Sequence, residues 1–234
     1  MNGRANTKER ITSAAAALLA EGGREAVTTR AVSKAADVQP PTIYRIFGDM
    51  QGLLDAVVAE GFAEYLAKKT NRVRAADAVD DLREGWDLHI EFGLSHPEVY
   101  KLMYGQPRPG ICSDAARDAA NVLRDLVERV AESGKLRFDV DRAAQMIHSA
   151  GAGVTLTLIG IEPEDRDPEL SRQTREAILA AVTISDASET PPGSGKTTAR
   201  AVALKAVLPE LTDTLTHAER GLLAEWLDRI AATA

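Results

Sequence analysis

Cysteine is nearly absent. Cys112 stands alone among the 234 residues, which removes an intrachain disulfide and a thiolate metal site and suits a reducing cytosol. Long apolar runs are missing as well. The longest, Ala14 to Ala20, falls far short of the roughly 18 residues that would argue a membrane span. The opening MNGRANTKER is polar and holds no apolar h-region, so a cytoplasmic protein without membrane association is expected. Aromatic residues supply only 4% of the chain, and β-branched runs bounded by turn signals are few. What remains is rich in alanine and leucine, and its simplest reading is all-α.

A strong positive charge is also lacking. The net charge of −7 argues at first against a nucleic-acid protein, because phosphate binding needs cations. The distribution changes that reading: residues 1–50 hold seven Lys/Arg against five Asp/Glu, so the remainder carries all of the negative excess. A slightly basic head on an acidic body is compatible with DNA.

Within that head, VTTRAVSKAADVQPPTIYRIF, residues 27–47, reads as two short helices around a tight turn. Thr28 can accept from an unpaired backbone N–H at the start of the first, and Val32, Ala35 and Ala36 are expected to face inward. Arg30 and Lys34 then share the outer face. Asp37 falls where the chain reverses, a position that favours a left-handed backbone. Gln39 opens the second helix, and Pro40 and Pro41 occupy its first turn, where a missing N–H costs nothing. Ile43, Ile46 and Phe47 would turn inward, leaving Pro41, Thr42 and Arg45 outward and Tyr44 at the edge. That is a helix-turn-helix. Its outer set suits a major groove, where Arg grips guanine bidentately while Thr, Tyr and Gln reach the phosphate backbone.

The same residues resemble the TetR family of bacterial one-component regulators. The resemblance runs from about Thr7 through Leu54: a first helix ending in Glu21-Gly22-Gly23, a Thr-x-Arg, an Ala-x-Val before Thr-Ile-Tyr-Arg-x-Phe, then Gly-Leu-Leu opening the next helix. Asp37 stands where the family usually has Gly, and Met50 where it usually has a phosphate-touching Lys, which implies one fewer counterion-releasing contact. The resemblance implies a DNA-binding head over residues 1–49 and a helical ligand-binding and dimerisation body over 50–234. It further implies a homodimer, with the interface placed mainly in residues 141–184, and a repressor that a small-molecule effector releases from a double-stranded operator. The segment FGLSHPEVYKLMYG is also similar to a C-terminal domain type found in some TetR-like regulators.

Elsewhere the chain reads as helix after helix. A disordered polar arm over residues 1–6, either with Arg4 and Lys8 placed to reach a phosphate or minor groove or as a solvated tail that contacts nothing, precedes a helix from Thr7 to about Ala20 that Gly22-Gly23 ends. Helices follow over about 50–69, 80–94, 114–133, 141–159 and 170–184, with a short apolar helix starting at Pro97 and loops over 105–114 and 161–170. Gly151 and Gly153 would let another helix approach. A C-terminal pair covers about 198–208 and 216–230. Thr216 and Glu219 there form a capping box, and Leu222, Leu223, Trp226, Leu227 and Ile230 are expected to form its buried face.

Trp86, His89, Phe92, Tyr100, Met103, Tyr104, Met146 and His148 are candidates to line an effector cavity, since such sites are mostly apolar with a few polar groups. Each residue type is equally an ordinary core residue. His89 and His148 have no carboxylate or Cys at ligand spacing, so no metal is expected. No cofactor and no catalytic residue are expected either, because no nucleophile stands beside a base. PPGSGKTT, residues 191–198, approaches a phosphate-binding loop with Lys196 and Thr197, but position 190 is Thr where the pattern needs Gly, and polar TISDASE precedes it. A linker is the reading adopted. A P-loop-type nucleotide-binding protein and a ligand-independent DNA-binding dimer stay open as alternatives.

Overall fold

A computed structural model describes residues 2–70, 74–105, 113–184 and 194–232, with side chains described for residues 6–63, 65–67, 74–105, 113–184 and 197–231. Among these residues the protein is all-α. The one β-type feature is an isolated antiparallel bridge between Leu136 and Thr183.

The helices are α1 (Asn2–Ala26), α2 (Thr29–Ala35), α3 (Pro40–Phe47), α4 (Met50–Thr70), α5 (Ala78–Ser95), α6 (Pro97–Tyr104), α7 (Asp114–Glu132), α8 (Val140–Ile159), α9 (Leu170–Val182), α10 (Ser194–Val207) and α11 (His217–Ala232). Single 3-10 turns cover Pro163–Asp165 and Leu208–Glu210. The chain divides into two compact units, one of residues 1–71 with 91–119, the other of 72–90 with 120–234.

In the first unit α1 begins at Asn2, so the expected polar arm is instead the first turns of a helix. Nothing in the arm stops it: no proline or glycine pair breaks MNGRANTKER before Ile11. Gly22 and Gly23 leave helical geometry as expected, with Gly23 at φ 67°, and one helical turn follows them to Ala26. Ile11, Ala15 and Leu19 on α1 meet Val27, Val32, Ile43, Leu53, Leu54 and Val57 in a closed core. Burial of this kind contributes roughly 25 cal/mol for each Å² of apolar surface removed from water. An aromatic group extends the unit. Phe92 lies edge-on to Phe62 at 5.5 Å, against Tyr65 at 4.8 Å and stacked on His96 at 5.3 Å.

In the second unit Asp81 is wholly buried. It accepts the Ala75 backbone N–H at 2.7 Å and pairs with the Arg129 guanidinium, so the charge is compensated inside the unit. Arg83 on α5 reaches Glu176 on α9 at 3.1 Å, and Arg175 reaches Asp87 at 2.5 Å. Helices α8 and α9 pack on each other, and α10 pairs with α11. Gly151 is buried where the Trp86 and His89 rings come within 3.5 and 3.6 Å of the place a Cβ would occupy. The close approach expected there is made by α5 of the same chain. Gly153 faces open space.

The C-terminal pair departs from expectation in one respect. Thr216 and Glu219 do form the capping box, the Glu219 carboxylate accepting the Thr216 N–H at 2.8 Å and the Glu219 N–H reaching the Thr216 hydroxyl at 3.3 Å. Among the described residues of α11 only Leu227 is buried, with Leu223 packed beside it against Ala201 and Leu208. Leu222, Trp226 and Ile230, four residues apart, are exposed at 46%, 50% and 42%. A two-helix pair covers one stripe of each helix, and among the described residues this second stripe is left exposed.

Candidate nucleic-acid interface

The two short helices stand as the residues dictate. Thr28 takes extended geometry and its hydroxyl accepts the Ala31 N–H at 3.2 Å, which satisfies one of the free donors of α2. Val32 and Ala36 turn inward, but Ala35 is exposed and Ser33 takes the buried place. At 100° per residue, Ser33 follows Val32 onto the inner side while Ala35 comes round to solvent. The Ser33 hydroxyl oxygen has no hydrogen-bond partner there.

Asp37 adopts φ 50°, the left-handed conformation expected of the reversal. Val38 N–H closes back on the Ser33 carbonyl at 3.0 Å, and the Arg10 side chain donates to the Ala36 carbonyl at 3.2 Å. This brace across the end of α2 has no sequence signal beyond a cation at the right turn of α1. Gln39 precedes α3 without a side-chain cap, and Pro40 and Pro41 fill its first two positions. No acidic residue occupies the first turn of α2 or α3, so the positive ends of both helix dipoles are uncompensated by side chains.

The far end of α3 is held as tightly. The Gly48 N–H, at φ 82°, bonds the Tyr44 carbonyl at 2.9 Å. The Asp49 carboxylate then accepts the Gly52 N–H at 2.7 Å and starts α4. Gly52 sits so close to α3 that a Cβ on it would lie 2.1 Å from the Phe47 carbonyl oxygen. Only glycine fits this corner, which fixes the departure of α4 from α3.

Arg30, Lys34, Gln39, Pro41, Tyr44 and Arg45 are all exposed and Thr42 is half-buried, with Ile43 wholly buried beneath them. Tyr44 and Thr29 share a hydrogen bond at 2.8 Å between their hydroxyls, tying α3 to α2 on the outside. The face thus presents three cations, an amide, hydroxyls and two helix N-termini on a rigid support. Such a set matches phosphate oxygens and base edges.

The effector candidates fall into two groups. Phe92, Tyr100 and Tyr104 belong to the aromatic cluster of the first unit, Tyr100 being fully buried with its ring 4.8 Å from that of Tyr104, and Met103 is half-buried on the same helix. Burial of the Tyr65 hydroxyl, with Tyr100 beside it, pushes its pKa far up. In the second unit the Trp86 indole N–H donates to the Ser171 hydroxyl at 3.0 Å, and its ring shares Gly151 with that of His89. Met146 and His148 are half-buried on α8. Among the described residues no group of three or more His, Cys, Asp or Glu could hold a metal ion, and no helix is long and apolar enough to cross a membrane. Residues 185–193 and the side chain of Lys196, which carry the phosphate-loop alternative, lie outside the described residues, as do Cys112 and the side chain of Arg4.

A family model described as bacterial regulatory proteins, tetR family, matches residues 11–57. A search of curated proteins by sequence returned no match. Solved structures share the fold. A Rhodococcus sp. RHA1 protein of unknown function is 20% identical with a TM-score of 0.64, covering 76% of this chain and 96% of its own. The transcriptional regulator FadR from Bacillus subtilis, solved in complex with stearoyl-CoA, is 19% identical with a TM-score of 0.61, covering 74% and 98%. A bacterial regulatory protein in the tetR family from Rhodococcus RHA1 is 24% identical with a TM-score of 0.57, covering 77% and 98%.

Proposed function

Because the chain belongs to the tetR family of bacterial regulatory proteins, we propose that it is a cytoplasmic homodimeric repressor that leaves its operator when a small molecule binds the body. The observation that carries the reading is the exposed set Arg30, Lys34, Tyr44 and Arg45 on two short helices held by the Thr28 cap, the turn at Asp37 and the Asp49–Gly52 corner. In this reading residues 1–49 form the DNA-binding head, with α3 in the major groove and α2 across the backbone. Arg30 and Arg45 read bases or phosphates, Lys34 and Tyr44 bind phosphates, and Gln39, Pro41 and Thr42 lie against the duplex at the N-terminus of α3.

Residues 50–234 serve as the body. Its interface lies mainly in residues 141–184, where Gly153 on α8 leaves room for a helix of a second copy. Two heads then sit in successive major grooves about 34–36 Å apart on a palindromic operator. The effector draws on some of the candidates, Phe92, Tyr100, Met103 and Tyr104 in the first unit or Trp86, His89, Met146 and His148 in the second, and FadR with stearoyl-CoA supports a ligand with a large apolar part. Release requires only that the effector bind the DNA-incompetent state more tightly than the competent one.

The test is a fluorescence-anisotropy titration with duplex DNA from upstream of the coding region, at two salt concentrations. The reading expects sequence-specific binding that Arg45→Ala loses. Equal binding to scrambled DNA would overturn it.

A further inference from the structure

The first unit contains a cleft that neither the DNA face nor the effector candidates use. It has a volume of about 440 Å³ and opens between α1, α4 and the corner where α5 gives way to α6. Leu19 and Val57, both buried, form its floor, and Ala16, Ala20 and Gly61 line its helical walls. A Cβ on Gly61 would lie in van der Waals contact with Val99, at 3.5 Å.

Two carboxylates stand among the polar groups of the cleft. Glu60 on α4 and Glu98 on α6 both line it, and no Lys or Arg does. Lys101 pairs with one oxygen of Glu98 at 2.7 Å from outside the lining, while the other oxygen faces Gly23, 3.3 Å from where a Cβ would stand. Ser13, Ser95 and His96 add hydrogen-bonding groups at the rim. With Glu98 already paired to Lys101, the Glu60 carboxylate beside an apolar floor favours an apolar body with a positive head over a carboxylate or phosphate of the same shape.

The geometry points to a ligand site for a small amphipathic cation, an aromatic or aliphatic body bearing a protonated amine, seated between α1, α4 and α6. Its position gives it leverage on the head. Leu19 and Val57 belong to the same core as Val32 and Ile43, so an occupant presses on the residues that support α2 and α3. None of the effector candidates lines it, and an anionic acyl chain does not suit it.

Isothermal titration of the full-length protein with 4-phenylbutylamine, 4-phenylbutanol and 4-phenylbutyrate tests this without DNA, so its failure leaves the operator reading untouched. The amine is expected to bind saturably, one per chain, with the carboxylate at least about ten-fold weaker. Glu60→Gln, at an exposed position, narrows that difference while the fold by circular dichroism is unchanged. Ala16→Leu keeps helix propensity, fills the cleft and abolishes binding. No saturable binding of the amine, equal affinity for the carboxylate, or a Glu60→Gln protein that discriminates as before would each overturn the proposal. Should Ala16→Leu fail to fold, Glu60→Gln decides alone.

Discussion

The hydroxyls of Thr29 and Tyr44 lie 2.8 Å apart, joining the first residue of α2 to the middle of α3 on the solvent side. The bond orders a tyrosine that is 45% exposed and would otherwise sample several rotamers. Its phenol is therefore positioned before any duplex arrives. Tyr44→Phe is expected to weaken operator binding by about 0.5–1.5 kcal/mol with little change in thermal stability. Arg45→Ala should cost about 1–3 kcal/mol and relax specificity at one base pair if it reads a base. If it binds phosphate, the loss is uniform across sequences and the salt slope falls by about one. Anisotropy at two salt concentrations separates the two.

The α3–α4 corner permits no side chain at Gly52, because a Cβ would sit 2.1 Å from the Phe47 carbonyl oxygen. Gly52→Ala must therefore move α3, α4 or both. Overpacking of this sort costs about 1–3 kcal/mol, and more where the obstacle is backbone. The expected result is a lowered midpoint in urea together with loss of operator binding larger than any exposed point mutation gives. A Gly52→Ala protein with native stability and affinity would mean that the corner is looser than its geometry.

Asp37 carries the opposite lesson. At φ 50° it pays a strain that glycine would not, in a place where Asp is tolerated better than most residues. Asp37→Gly is expected to raise stability by less than about 1 kcal/mol, since greater freedom of the unfolded chain offsets part of the relief. Differential scanning calorimetry should show a small rise in Tm, with DNA affinity equal or slightly better as one negative charge leaves the face.

Much of this was legible in the residues because the signals are local. Thr28, Asp37, Pro40 and the Thr216–Glu219 box each act within one turn of the chain, and all stand as their chemistry predicts. Ala35 was misplaced because alanine fits either side of a short helix, and the buried serine beside it carries no apolar signal. Residues 1–6 give no signal for a related reason: polarity says where a segment can be solvated, not whether it continues a helix. The Arg10 brace, the Asp81–Arg129 pair and the cleft under Glu60 and Glu98 depend on residues 26, 48 and 38 positions apart, which no periodicity reports.

Acid should weaken the second unit. Burial alone would raise the Glu176 carboxyl, but hydrogen bonds from Arg175 and Arg83 outweigh it and hold the pKa below the ordinary value. Asp77 is lowered by the Val79 backbone N–H and by Lys135. A depressed carboxylate contributes stability above its unfolded pKa and loses it as pH falls through the folded one. Stability should thus be flat near neutrality and decline below about pH 4.5. Both partners of the Arg83–Glu176 pair are 37% exposed, so solvent limits the contribution to about 1 kcal/mol or less. Glu176→Gln is expected to lower Tm slightly at pH 7 and to flatten its fall toward pH 3.

The two faces of α11 make contrasting demands. Leu227 is 6% exposed and packs on Ala201 and Leu208, so Leu227→Ala should cost about 2–5 kcal/mol through lost burial and the cavity left behind. Trp226, its neighbour in sequence, is half exposed beside Leu222 and Ile230. Truncating it removes little buried surface, and Trp226→Ala should stay within about 0.5 kcal/mol of the parent. Urea denaturation of both variants at several protein concentrations is the measurement. A cost for Trp226→Ala that approaches that of Leu227→Ala and grows with protein concentration would show that a second copy covers the stripe. A small cost at every concentration would mean that the stripe faces water in the assembled protein.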